Sequence, residues 1–165
     1  KTTFADLWLS EKILEKIEKK WYKYPSPIQE WVIPLLLKSE KDIIWQAQTW
    51  TWKTASFAIP ILERLDVNSK DVQALILTPT RELAIQIWEE IKSFADKWVK
   101  IQLVYGWQNY SKEIEWFKRK PQIVVWTTWR IIDHITRKKT LKVDNLKYLV
   151  LDEADRMLDM GFFDD

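Results

Sequence analysis

Cysteine is absent from the 165 residues, which excludes disulfides and thiolate metal sites. Histidine occurs once, at His134, too few for a zinc centre. It lies in an expected helix and reads as a partly exposed surface residue. Neither sign of charge dominates: 26 Lys and Arg against 24 Asp and Glu leave +2, so any nucleic-acid binding has to come from a local basic surface. Long apolar runs are missing as well. The longest, Trp31–Leu37, contains Pro34 and falls far short of the roughly 20 apolar residues that cross a bilayer. No secretory leader is visible, which fits a cytoplasmic protein with no membrane partner. The most informative scarcity is glycine. An ordinary chain is about 7% glycine; this one has 2 glycines and 12 tryptophans.

What is present is an alternation of short apolar runs and amphipathic stretches, the pattern of an α/β domain long enough to bury a core. Ser10 is placed to cap a helix through Lys20, with Ile13, Leu14 and Ile17 on one face. A second helix is expected over Pro27–Lys38, kinked or broken near Pro34. Asp42–Trp45 reads as a short buried strand, followed by a helix from about Lys53 to Leu62. Further strands are expected at Gln73–Thr78, Ile101–Tyr105, Ile123–Trp126 and Tyr148–Leu151, with helices at Arg81–Asp96, Ser111–Arg119 and Trp129–Thr136. Continuous apolar strands alternating with helices predict a mostly parallel sheet covered on both faces.

The segment Ala47-Gln48-Thr49-Trp50-Thr51-Trp52-Lys53-Thr54 lies between an expected strand and a helix, the context of a phosphate-binding loop. In such a loop Lys53 reaches the β- and γ-phosphates and the Thr54 hydroxyl ligates Mg²⁺. The loop works by aiming bare backbone N–H groups at phosphate oxygens, and glycine lets the phosphates come close. Trp50 and Trp52 stand where that glycine belongs. Taken alone, Lys53–Thr54 also fits an ordinary helix start. Asp152 and Glu153 end an apolar strand, where open α/β sheets bind ligands. One carboxylate there can hold Mg²⁺ and the other orient water; two solvated acids in a turn is the alternative. Pro79-Thr80-Arg81-Glu82-Leu83 and Thr127-Thr128-Trp129-Arg130 each follow a strand and open a helix. Each alone is also a simple capped helix start; together they suggest a track for a phosphodiester backbone.

These residues resemble the DEAD-box RNA helicases over nearly the whole chain. Trp21–Gln29, with Phe4 upstream, is similar to the adenine-reading Q motif. Ala47–Thr54 resembles motif I, Pro79–Leu83 motif Ia, Tyr105-Gly106-Trp107-Gln108 the double-glycine motif, and Thr127–Arg130 motif Ib. Asp152-Glu153-Ala154-Asp155 is similar to motif II. The resemblance implies a RecA-like P-loop NTPase domain, the first of two, that binds ATP, Mg²⁺ and one strand of RNA. It implies that Gln29 hydrogen-bonds the adenine edge and Tyr22 stacks on the base. Lys53 and the rest of Ala47–Thr54 serve phosphate, Thr54 and Asp152 the metal, and Glu153 the attacking water. Asp155 couples nucleotide state to a partner domain, while Pro79, Thr80, Arg81, Gly106, Trp107, Thr127, Thr128 and Arg130 lie along RNA. Thr128 stands where that family has proline. The ends look trimmed: residues 1–165 stop short of motif III and of a second RecA-like domain, the partner expected in cis.

The family has or accepts glycine at Trp8, Trp21, Trp45, Trp50, Trp52, Trp88, Trp107, Trp126 and Trp129. Restoring those nine leaves 11 glycines and 3 tryptophans, an ordinary composition. This pattern is expected of a gene in which UGA encodes glycine, translated as if UGA meant tryptophan. If the indoles are real, the alternative is a nucleotide-independent RNA or protein interaction module with an obstructed phosphate loop. A DNA-directed translocase on the same fold is the other alternative, against which the Pro25–Gln29 stretch argues.

Overall fold

A computed structural model describes residues 1–46, 50–105, 109–127 and 130–161. The chain forms two compact units: Lys1–Leu65 with Glu90–Ala95, and Asp66–Glu89 with Asp96–Asp165.

The first unit is helical. A 3₁₀ turn at Phe4–Leu7 precedes α1 (Glu11–Lys19), α2 (Pro27–Lys38) and α3 (Trp50–Glu63). Ser10 occupies the expected N-cap position, but its N–H and hydroxyl both donate to Glu63 Oε2, at 3.1 and 3.0 Å. The C-terminus of α1 closes in a Schellman motif. Trp21 N–H donates to the Glu18 carbonyl at 2.8 Å and Tyr22 N–H to that of Ile17 at 3.4 Å, which requires the first of the two donors to be left-handed. That residue is Trp21, at φ 62°. Trp8, which ends the 3₁₀ turn, is also left-handed at φ 58°. Ser26 and Gln29 form a capping box that starts α2. α2 then runs unbroken through Pro34, so of the kink or break expected there the break is not formed. Phe4, Leu7, Ile13, Ile17, Ile33, Ala55, Ile59 and Phe94 form the core.

The expected strand at Asp42–Trp45 is not formed: residues 42–46 are irregular and Ile44 is fully exposed. Among its described residues this unit has no strand, so an extended segment there finds no ladder for its N–H and C=O groups. Trp45 packs on Phe57 with ring centroids 6.4 Å apart, and its buried Nε1 has no hydrogen-bond partner among the described residues.

The second unit holds a wholly parallel sheet in the order β2-β3-β1-β4, from β1 (Ala74–Leu77), β2 (Ile101–Val104), β3 (Ile123–Trp126) and β4 (Tyr148–Leu151). Ala74 is level with Ile123 and Tyr148, and Ile101 with Ile123. β1 and β3 are buried on both faces, as continuous apolar runs predict. β4 alternates, leaving Leu149 and Leu151 exposed. Helix α4 (Arg81–Phe94) follows β1, α5 (Tyr110–Lys118) follows β2, and α6 (Arg130–Ile132) follows β3 and passes into a π-helical segment at Asp133–Arg137. α7 (Ala154–Asp159) follows β4. Leu75, Leu77, Val104, Phe117, Val124, Trp126, Ile131 and Met157 make the core.

His134 overturns its expected exposure. It is fully buried, with Nε2 2.8 Å from Glu113 Oε2 and Nδ1 2.6 Å from Thr140 Oγ1. A polar side chain survives burial when its ring nitrogens find partners, and both do.

Candidate nucleotide and RNA site

In the first unit the adenine-reading candidates lie beside the start of α3. Gln29 is wholly buried: its Oε1 accepts the Ser26 N–H at 2.9 Å and its Nε2 donates to the Trp52 carbonyl at 3.2 Å. The Ser56 hydroxyl donates to that same carbonyl at 2.7 Å. Tyr22 is half-buried between Trp52 and Phe94, with ring centroids 5.5 and 6.3 Å away. Its hydroxyl donates to Glu90 Oε1 at 3.4 Å. Burial pushes the Tyr22 phenol up, and the Glu90 carboxylate raises it further by its charge and hydrogen bond. Glu90 also pairs with Lys20 at 2.7 Å.

α3 begins at Trp50, three residues ahead of the expected start. Tryptophan carries none of the conformational freedom by which glycine leaves a helix, so the helix winds back through residues 50–52. Lys53 is half-buried and Thr54 buried within its first turns. Ala47, Gln48 and Thr49 fall outside the described residues, as do the side chains of Trp50 and Thr51.

In the second unit the remaining candidates gather at the C-terminal edge of the sheet, because each ladder runs one residue past its strand. Thr127 N–H donates to the Val104 carbonyl at 3.2 Å, Thr78 N–H to that of Trp126 at 3.0 Å, and Asp152 N–H to that of Leu77 at 2.9 Å. The segments starting at Thr78, Thr127 and Asp152 therefore leave one edge in step, where open parallel sheets bind ligands. Beyond Thr78, Pro79 is half-buried, the Thr80 hydroxyl accepts the Leu83 N–H at 3.3 Å, and exposed Arg81 stacks over Tyr105 at 4.2 Å. Gly106, Trp107 and Thr128 lie outside the described residues, as does the side chain of Arg130.

Asp152 is 5% exposed, with Thr78 next to it just past β1. Glu153, the N-cap residue of α7, is held at φ 54° and ψ 49°, and its Oε2 accepts from Arg156 Nη1 at 3.0 Å. A non-glycine residue in that region costs about 1–2 kcal/mol, and such strain concentrates at functional sites. Asp155 is exposed in the first turn of α7. Among the described residues no group of three or more His, Asp or Glu could hold a metal. A magnesium ion bound through one carboxylate, waters and phosphates needs no such group.

Two participants had no role assigned from the sequence. Tyr105, read there only as a strand end and the first residue of the Tyr105–Gln108 motif, lies just past β2 and is the platform for Arg81. Thr78 is 1% exposed and its hydroxyl has no partner among the described residues; its place beside Asp152 depends on strand order, which a single sequence does not display.

The chain is 50% identical to the ATP-dependent RNA helicase CshA of Listeria monocytogenes over 99% of its length, covering 31% of that protein. It is 48% identical to the DEAD-box ATP-dependent RNA helicase CshA of Geobacillus kaustophilus, covering 99% of the chain and 35% of that protein. It thus spans about a third of the length of these curated relatives. The crystal structure of a DEAD box protein from the hyperthermophile Methanococcus jannaschii superposes with a TM-score of 0.91 at 47% identity, over 98% of this chain and 44% of that one. A variant of Saccharomyces cerevisiae Dbp5 bound to RNA and ADP BeF3 gives a TM-score of 0.86 at 34% identity, over 99% of this chain and 41% of that one. Both show the RecA-like fold anticipated from the sequence. A family model described as DEAD/DEAH box helicase matches residues 26–165, from the Ser26 cap to beyond the acids after β4, and on that match the chain belongs to the DEAD/DEAH box helicase family.

Proposed function

We propose that this chain is the ATP-binding RecA-like domain of an RNA helicase. In the full-length protein it binds Mg·ATP and single-stranded RNA, and hydrolysis drives local unwinding of RNA duplexes with a second RecA-like domain. The observation that carries the reading is the common departure of the Thr78, Thr127 and Asp152 segments from one edge of a parallel sheet, in a chain whose relatives are named ATP-dependent RNA helicases.

Each unit offers an oxygen donor that suits magnesium, a hard cation: the Thr54 hydroxyl in the first and the Asp152 carboxylate in the second. Bound ATP supplies the phosphoryl group and most of the charge. Lys53 neutralises phosphate, Gln29 and Tyr22 choose adenine, and Glu153 orients the attacking water. Asp155 relays nucleotide state to the second domain. Pro79, Thr80, Arg81, Gly106, Trp107, Thr127, Thr128 and Arg130 hold the RNA backbone. A triphosphate does not fit the chain with indoles at 50 and 52. There the helix occupies the glycine turn, and the Trp52 carbonyl and ring are committed to Gln29, Ser56 and Tyr22. Glycine at those positions makes the site competent.

The test is RNA-stimulated ATP hydrolysis by the full-length protein with glycine at 50 and 52, beside its Glu153→Gln variant. The expected result is retained Mg·ATP binding and hydrolysis slowed by about 10²–10⁴-fold, the usual loss of a general base. RNA binding without any response to nucleotide would return the protein to an interaction module. Stimulation by DNA in place of RNA would make it a DNA translocase.

A further inference from the structure

Beside β3 lies a buried polar cluster that the proposed chemistry does not use. Glu113 is 1% exposed and His134 is 0% exposed, and they meet at 2.8 Å. The other ring nitrogen of His134 faces the Thr140 hydroxyl at 2.6 Å, and the His134 carbonyl accepts the N–H groups of Thr140 and Leu141 at 2.9 and 3.3 Å. The imidazole packs on Phe117 and Trp126, with centroids 5.3 and 5.2 Å away.

The placement of the cluster gives it a role. Glu113 sits in the first turn of α5, which begins behind the Asn109 cap, immediately after Gly106-Trp107-Gln108. His134 sits in the π-helical segment that follows α6, immediately after Thr127–Arg130. One buried pair thus ties together the elements that carry two separate RNA-contact segments. A π-helical segment is a rare local geometry, frequent at functional sites. Here it brings the imidazole under β3 to meet Glu113.

We propose that Glu113 and His134 are positioning residues for RNA: their pairing sets the spacing between Asn109, where α5 starts, and Arg130, where α6 starts. This rests on the RNA-binding reading above. Neither residue touches RNA, so the pair governs RNA affinity and leaves nucleotide binding unchanged.

The experiment measures single-stranded RNA affinity, Mg·ATP affinity and the sites of ultraviolet crosslinking to a uridine-rich RNA, in the full-length protein with glycine at 50 and 52. Glu113→Ala is expected to weaken RNA binding about ten-fold or more, the loss of at least one charge-assisted hydrogen bond. Crosslinks to one of the two segments disappear, and ATP affinity stays within about two-fold. Glu113→Gln, which still accepts from or donates to the ring, restores RNA binding and both crosslinks. Should Glu113→Ala fail to fold, Thr140→Val keeps the side-chain volume, removes the hydroxyl at Nδ1 and is read by the same measurements, with a loss of about five-fold expected. A folded Glu113→Ala, or in its stead Thr140→Val, that binds and crosslinks RNA like the parent protein overturns the inference and leaves the RNA reading intact. A parent protein that neither binds nor crosslinks RNA overturns both.

Discussion

The side-chain amide of Gln29 donates to the backbone carbonyl of Trp52 at 3.2 Å while its oxygen caps α2 through the Ser26 N–H. One residue therefore fixes the start of α2 and the first turn of α3 together. Gln29→Glu keeps the acceptor for Ser26 and loses the donor for Trp52. Its expected cost is about 1–3 kcal/mol, the penalty for an unsatisfied buried polar group, read as a lower urea midpoint with an unchanged slope.

Nucleotide binding is expected to follow residues 50 and 52. Each backbone bond to phosphate is worth about 1.5–3 kcal/mol, so two recovered bonds strengthen binding by roughly 10²-fold or more. Titration of Mg·ADP and Mg·ATP into the chain and into its Trp50→Gly/Trp52→Gly version measures the gain. Equal affinities would remove the case for an obstructed loop.

Trp21 is 86% exposed and left-handed, and its indole earns little by burial while its Cβ strains the turn. Trp21→Gly is expected to stabilise the chain by about 1 kcal/mol, since glycine occupies that region freely; Trp21→Ala, which keeps the Cβ, is expected not to. Thermal melts of the two variants decide. The same backbone demand supports glycine decoding of UGA. The gene is expected to carry UGA at positions 8, 21, 45, 50, 52, 88, 107, 126 and 129, and any other codon there counts against it.

Tyr22 makes stability depend on alkaline pH. Burial, and then Glu90, hold its phenol above the ordinary value, which is about 10. Below that value the proton is bound in both folded and unfolded chains, and the stabilisation is fully present. As the pH rises past it the unfolded chain ionises first, and this contribution drains away until the folded phenol also titrates. Tyr22→Phe is expected to flatten the fall of the urea midpoint over that window. An identical fall in both proteins would show that other groups dominate.

Much of this was legible from local pattern. β3 and β4 fall where their apolar runs lie, and β1 and β2 differ only at their ends. The capping box behind α2 is written in Ser26-Pro27-Ile28-Gln29. What failed depended on partners distant in sequence. An apolar segment at 42–45 becomes a strand only when a ladder is available, and periodicity says nothing about that. His134 looked like a surface residue because its acid partner, Glu113, lies 21 positions away. The early start of α3 at Trp50 was hidden for another reason: the motif implies a glycine turn, whereas the residues present have no preference for one.

β1 lies between β3 and β4, and at the sheet's C-terminal edge its chain takes a bond from Asp152 on one side and gives one to Trp126 on the other. It serves as a ruler against which both neighbours are gauged. Adding or deleting one residue within Ala74–Leu77 would slide the arginine-bearing loop by a step and turn alternate side chains over, throwing Thr78 and Asp152 out of step with each other. The alignment of the segments that leave this edge thus comes down to counting residues along four strands.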